Sequence, residues 1–165
     1  MMHRTSSHPR RVARGFTLIE VVIAVIVLAI SVPPTLNLMD SAASGRVDAI
    51  NTTRATLLAT SVLEMITADL SSNDPSLGFD ALADAGAYID TPNTGLDDRL
   101  ESILEPYLSA GFSYSVSIGT LVSNDGTVSG NGDENIFRII TVRVVFPSAS
   151  TASYELPVSV MVSAI

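Results

Sequence analysis

Apolar residues follow different rhythms along this chain, and each rhythm predicts a different element. From Phe16 to Val32 they are nearly continuous: the run FTLIEVVIAVIVLAISV carries a single charge, Glu20. Extended through Pro33 to Met39, the run reaches roughly 24 residues, or about 36 Å of helix, enough to cross a bilayer core. From Leu36 onward, apolar residues such as Met39, Ala43, Val47, Ile50, Leu57, Leu58, Val62 and Ile66 recur at spacings of three, four and seven. That spacing predicts an amphipathic helix continuing to Leu70, where Ser71 to Pro75 supplies turn formers and a Pro that stop it. Pro33 and Pro34 each lack an N–H and crowd the carbonyl four residues back, so a kink or local loosening is expected there. Ser41 to Gly45 is all small residues, which suits a packing or flexing site, or equally a solvated stretch.

The next region, 76 to 95, is rich in Gly, Asp, Pro and Asn and predicts a surface connection with a short helical turn at Phe79 to Ala85. Leu96, Leu100, Ile103, Leu104, Tyr107 and Leu108 form the apolar stripe of a short helix that Pro106 should end or distort. After it the period changes to two. Phe112, Tyr114, Val116 and Ile118 share one face against Ser113, Ser115 and Ser117. Ile140, Val142, Val144 and Phe146 share a second, and Tyr154, Leu156, Val158, Val160 and Val162 a third. Such alternation marks half-buried strands, and the links at about 123 to 135 and 147 to 152 suit an antiparallel meander. The expected fold is α+β, with a long N-terminal helix, membrane-spanning in its first half, packed on a small antiparallel β-sheet. The expected segments are a basic leader (1–15), a transmembrane helix (16–39), its continuation (40–70) and a C-terminal globular domain (71–165).

Charge refines this picture. All nine basic residues are Arg, and Arg4, Arg10, Arg11 and Arg14 precede the apolar run. Setting those four aside takes the formal charge from −8 to −12 for the remainder. An acidic domain of this kind lacks the basic surface that phosphate contacts need, so no nucleic-acid partner is expected. Arg clustered before the apolar helix predicts a cytoplasmic N-terminus and a single pass through the inner membrane, with the globular domain on the periplasmic or extracellular side.

An ordinary secretory signal places its small-residue cleavage site after the apolar core. Here the small residue, Gly15, lies before it. The residues RGFTLIE, Arg14 to Glu20, resemble the processing site of type IV prepilins and type II secretion pseudopilins. The resemblance covers some 25 residues and implies cleavage between Gly15 and Phe16 by a prepilin peptidase, with N-methylation of the new terminal Phe16. It also implies an assembly role for Glu20, which stands where the family carries its glutamate, paired with the Phe16 amine of a neighbouring subunit. On physical grounds alone, a carboxylate in an apolar span costs at least a few kcal/mol unless paired, the alternative being a side chain that snorkels to the interface. The family's usual Pro falls at Asn37, its role taken by Pro33 and Pro34, and the C-terminal Cys pair of major pilins is missing.

Catalysis finds little material. The two His, His3 and His8, lie in the leader, and Cys is absent, so the mature chain excludes Ser-His-Asp and Cys-His chemistry and His- or Cys-ligated zinc. No catalytic residue and no cofactor is expected. The loop Ser123 to Asn135 gathers oxygen donors, with Asp125, Asn131, Asp133 and Asn135 as weak Ca²⁺ candidates. The EF-hand pattern fails, since Ile136 stands where Gly is needed and Val142 where Glu is needed, so a polar hairpin connection with no metal is the better reading.

The resemblance implies a structural, minor subunit of a type IV pilus or type II secretion pseudopilus. Its partners would be other pilin or pseudopilin subunits, the prepilin peptidase, the inner-membrane assembly platform and the lipid bilayer. The alternatives are a filament-tip module for adhesion or for binding a substrate or DNA, and a plain signal-anchored single-pass protein.

Overall fold

The computed structural model describes residues 15–72, 74–149 and 152–164. The residues expected to form the basic leader, apart from Gly15, lie outside them. The chain divides into an N-terminal unit ending at Ala42 and a second unit from Ala43 to Ile165. One helix, α1 (Leu18–Leu70), contributes to both, and the division falls within the small-residue stretch Ser41 to Gly45.

In the N-terminal unit every described residue is exposed, including the apolar stretch that is long and apolar enough to cross a membrane. Pro33 and Pro34 lie inside the helix and do not end it. Near them the Thr35 hydroxyl donates to the Ser31 carbonyl at 2.9 Å and the Ser31 hydroxyl to that of Leu28 at 3.5 Å. These back-bonds keep polar side chains on the helix's own backbone.

The second unit holds the core. From the outer half of α1, Ala55, Leu58, Ala59, Val62 and Ile66 turn inward at spacings of three and four, all at most 1% exposed. They join the inward faces of a three-stranded antiparallel meander, β1 (Ser113–Val122), β2 (Phe137–Pro147) and β3 (Ser153–Ser163), in the order β1-β2-β3. Ile140, Val142, Val144 and Phe146 of the central strand are buried, with Tyr114, Val116, Leu156 and Val158 packed against them. On the other face a Thr141–Ser159 hydrogen bond of 2.8 Å and an Arg143–Glu155 ion pair of 2.8 Å tie β2 to β3. The sheet faces are those the alternation predicts.

Differences lie at particular places. Val47, Ile50 and Leu57 fit the spacing of the inward residues but are exposed, so the outer half of α1 carries two apolar stripes. A short helix, α2 (Ala85–Asp90), follows the 3₁₀ turn Phe79–Ala83, capped by the Asp84 carboxylate, which accepts from the Ala87 N–H at 3.0 Å. The third helix, α3 (Leu96–Leu108), continues two residues past Pro106. It starts at Gly95, where a Cβ would stand 2.4 Å from the Ile89 carbonyl oxygen, so only glycine fits. In β1 the register with β2 slips by one residue between Ile118 and Leu121. The Gly119 carbonyl at this bulge accepts from Arg138 at 3.0 Å.

Candidate functional site

Gly15, Phe16, Thr17 and Glu20 line one open hollow of about 440 Å³ at the start of α1. Thr17 precedes the helix, and its hydroxyl oxygen accepts from the Glu20 N–H at 3.3 Å. In return the Glu20 carboxylate accepts from the Thr17 N–H at 3.3 Å and from its hydroxyl at 3.5 Å. This is the reciprocal capping box of Thr-x-x-Glu, in which the side chains at the cap and three residues on satisfy each other's backbone donors. The sequence spacing contained this signal. The reading of Glu20 as a lone charge missed Thr17.

The box satisfies hydrogen bonds and leaves the charge standing. No cation lies within ion-pair distance of Glu20 among the described residues. The first turn suits an anion, because the unpaired N–H groups there carry partial positive charge. Phe16 is 80% exposed immediately before the cap. A chain beginning at Phe16 would therefore place an ammonium group one residue before Thr17.

The other end of α1 is arranged differently. Asp69, 6% exposed, lies in a last turn that has no basic residue, where the helix's unpaired carbonyls disfavour a carboxylate. Arg99 from α3 grips it with both terminal nitrogens at 2.8 and 2.7 Å. The Tyr88 hydroxyl from α2 donates to it at 2.5 Å, and the Arg99 guanidinium lies 5.8 Å from the centre of the Tyr88 ring. The hydrogen bonds to Asp69 raise the Arg99 pKa. Burial first, and then the bond to Asp69, raises that of Tyr88 above its ordinary 10.0. A second tie lies on the same helix, where Asn51 donates to the Pro147 carbonyl at 2.8 Å and Asp48 accepts from the Ala149 N–H at 2.8 Å. Neither tie was legible from local spacing.

The weak Ca²⁺ candidates are engaged in turns. Asp125 accepts from the Ser123 hydroxyl at 2.5 Å and from the Thr127 N–H and hydroxyl at 2.9 and 2.8 Å. These bonds hold its pKa down to about 2. Asn135 exchanges hydrogen bonds with the Ser129 backbone, and Asn131 accepts from the Asp133 N–H. Among the described residues no group of three or more carboxylate, His or Cys side chains could hold a metal ion.

The family model described as the prokaryotic N-terminal methylation motif matches residues 10–32, the segment that contains Gly15, the capping box and the apolar run to Val32. That segment is similar to the N-terminal methylation motif by which type IV pilins and pseudopilins are recognised. The match supports a pilin-like or pseudopilin substrate of prepilin peptidase, and proteins that carry this motif are structural rather than catalytic. The exposed apolar helix fits membrane anchoring. No curated protein and no solved structure matches the chain.

Proposed function

We propose that this pilin is a minor structural subunit of a type IV pilus or type II secretion pseudopilus. Cleavage falls between Gly15 and Phe16, and Phe16 is then N-methylated. The exposed apolar helix, first in the inner membrane with the globular domain outside it, passes into a filament where neighbouring helices cover it. The observation that carries this reading is Glu20: its hydrogen bonds are met within the chain, while its charge meets no cation among the described residues. In a low-dielectric helix bundle an uncompensated carboxylate costs at least about 3 kcal/mol, and the Phe16 amine of an adjacent subunit supplies the counter-charge. The displaced Pro pair and the lack of a Cys pair support a minor rather than a major subunit.

Glu20→Gln tests the electrostatic part cleanly. Gln also completes a capping box, so the helix start survives while the charge is lost. Incorporation into filaments should fall at least tenfold, with processing and membrane level unchanged; normal incorporation would refute charge-based docking. Mass spectrometry of the membrane-extracted chain should show a methylated N-terminal Phe16, and an intact leader would exclude the prepilin reading.

A further inference from the structure

After Gly15 the chain has five Arg among seventeen acidic residues. Three of the five have partners within the fold. Arg99 holds Asp69, Arg143 holds Glu155, and Arg138 donates to Gly119 while lying 5.7 Å from the Phe79 ring centre. Arg46 and Arg54, both exposed on the outer half of α1, have no hydrogen bond or ion pair among the described residues. Arg46 borders and Arg54 interrupts the exposed stripe of Val47, Ile50 and Leu57, which are 46%, 54% and 56% exposed. Arg54 also borders a cavity of about 290 Å³ whose other lining residues, Pro106, Tyr107, Ala110 and Phe112, carry no charge.

The complement lies on α3. Glu101, Glu105 and Leu108 follow one another at four and seven, as do Ile50, Arg54 and Leu57, so each trio forms one face of its helix. Neither glutamate side chain has a partner among the described residues. Leu108 is 47% exposed, and the trio lines a shallow groove with Ser102 and Ser109.

We propose that the Arg46/Arg54 face of α1 docks on the Glu101/Glu105 face of α3 in a second copy of this chain. Opposite charges then face each other beside exposed apolar residues, an arrangement that sets register and partner choice. The two faces consist of different residues, and between filament subunits that run in one direction their contact is head-to-tail. As a minor subunit the chain needs only two neighbouring copies joined in this way, not a filament built of this chain alone. The inference rests on the filament-subunit reading and adds the contact outside the membrane segment.

The chain has no Cys, so introduced cysteines report contacts without background. Two differently tagged full-length copies, one Ile50→Cys and the other Leu108→Cys, are co-expressed in cells with a pilus assembly system and oxidised. A parallel pair carries Val25→Cys in both copies. The expected result is a disulfide joining the two tags. Arg54→Glu in the first copy should lower its yield at least fivefold, and Glu105→Arg in the second should restore it. If the Val25→Cys pair cross-links and the α1–α3 pair does not, the docking inference fails and the subunit reading stands. Unchanged yield on charge reversal, no restoration, or a dominant product between two Ile50→Cys copies would also overturn it. If neither pair cross-links, no two copies are neighbours and the docking inference fails, while the methylated Phe16 and the Glu20→Gln variant test the subunit reading separately.

Discussion

The two ends of α1 each carry a carboxylate, and the protein treats them in opposite ways. Asp69 lies at the end of the helix where a negative charge is disfavoured, and it is buried, gripped by Arg99 and bonded by Tyr88. Glu20 lies at the favourable end, exposed, and among the described residues is bonded only to the cap beside it. A charge compensated within the chain holds the fold together. A charge left uncompensated, in a segment whose apolar side chains are likewise uncovered, is the one the proposed assembly would pair. Apolar residues show the same contrast: Leu58 is 0% exposed and Val25 is 59% exposed on one helix.

The contrast predicts where truncation is felt. Leu58→Ala should destabilise the C-terminal domain by about 3 kcal/mol, from lost transfer energy plus the cavity left behind. Val25→Ala should leave that domain's unfolding midpoint unchanged. Denaturant titration of the full chain in detergent checks both, and a similar loss for both would abolish the distinction between the two halves. Arg99→Ala follows in size. It strands a buried carboxylate, and with the Arg99 side chain 22% exposed the cost should be about 2 kcal/mol, below the usual figure for a broken buried pair. Asp69→Asn combined with Arg99→Ala should cost less than Arg99→Ala alone, since the stranded charge is gone.

High pH sharpens the same comparison. Tyr88 donates to Asp69 and Tyr114 to Asp97, and burial together with those carboxylates raises both phenols above their ordinary 10.0. A raised folded-state pKa means stability that is fully present below pH 10 and lost as pH rises through the folded value. The unfolding midpoint should therefore fall progressively above pH 10. Tyrosinate absorbance should show a phase that appears only with unfolding. Tyr88→Phe should remove part of that dependence.

How much of this was legible beforehand follows from the range of each interaction. The strand faces are local, so alternation alone placed Ile140, Val142, Val144 and Phe146 inward. Glu20 stood out because one charge interrupts a long apolar run. The Asp69–Arg99 pair spans 30 residues and the Tyr88–Asp69 bond 19, and no local pattern reports either. Helix α2 is six residues long, too short for a helical period to emerge, and depends on the Asp84 cap and the burial of Tyr88. The two stripes of α1 were merged because Val47, Ile50 and Leu57 obey the same spacing as Leu58 and Val62. Only the position of the sheet separates them. The bulge after Ile118 was hidden because Gly119 and Thr120 look like an ordinary continuation of β1.

The smallest effect concerns the cap itself. Thr17→Ala removes the hydroxyl that accepts from the Glu20 N–H and should weaken the first turn by about 1 kcal/mol. Because that turn lies in the first unit, the loss should appear as faster hydrogen exchange at Glu20 and its neighbours in micelles, with the domain's unfolding midpoint unmoved. The carboxylate remains, so incorporation into filaments should fall much less than for Glu20→Gln. If the two variants were equally defective, capping geometry rather than charge would account for the role of Glu20. If Thr17→Ala left exchange at Glu20 unchanged, the capping box would contribute nothing to the helix start.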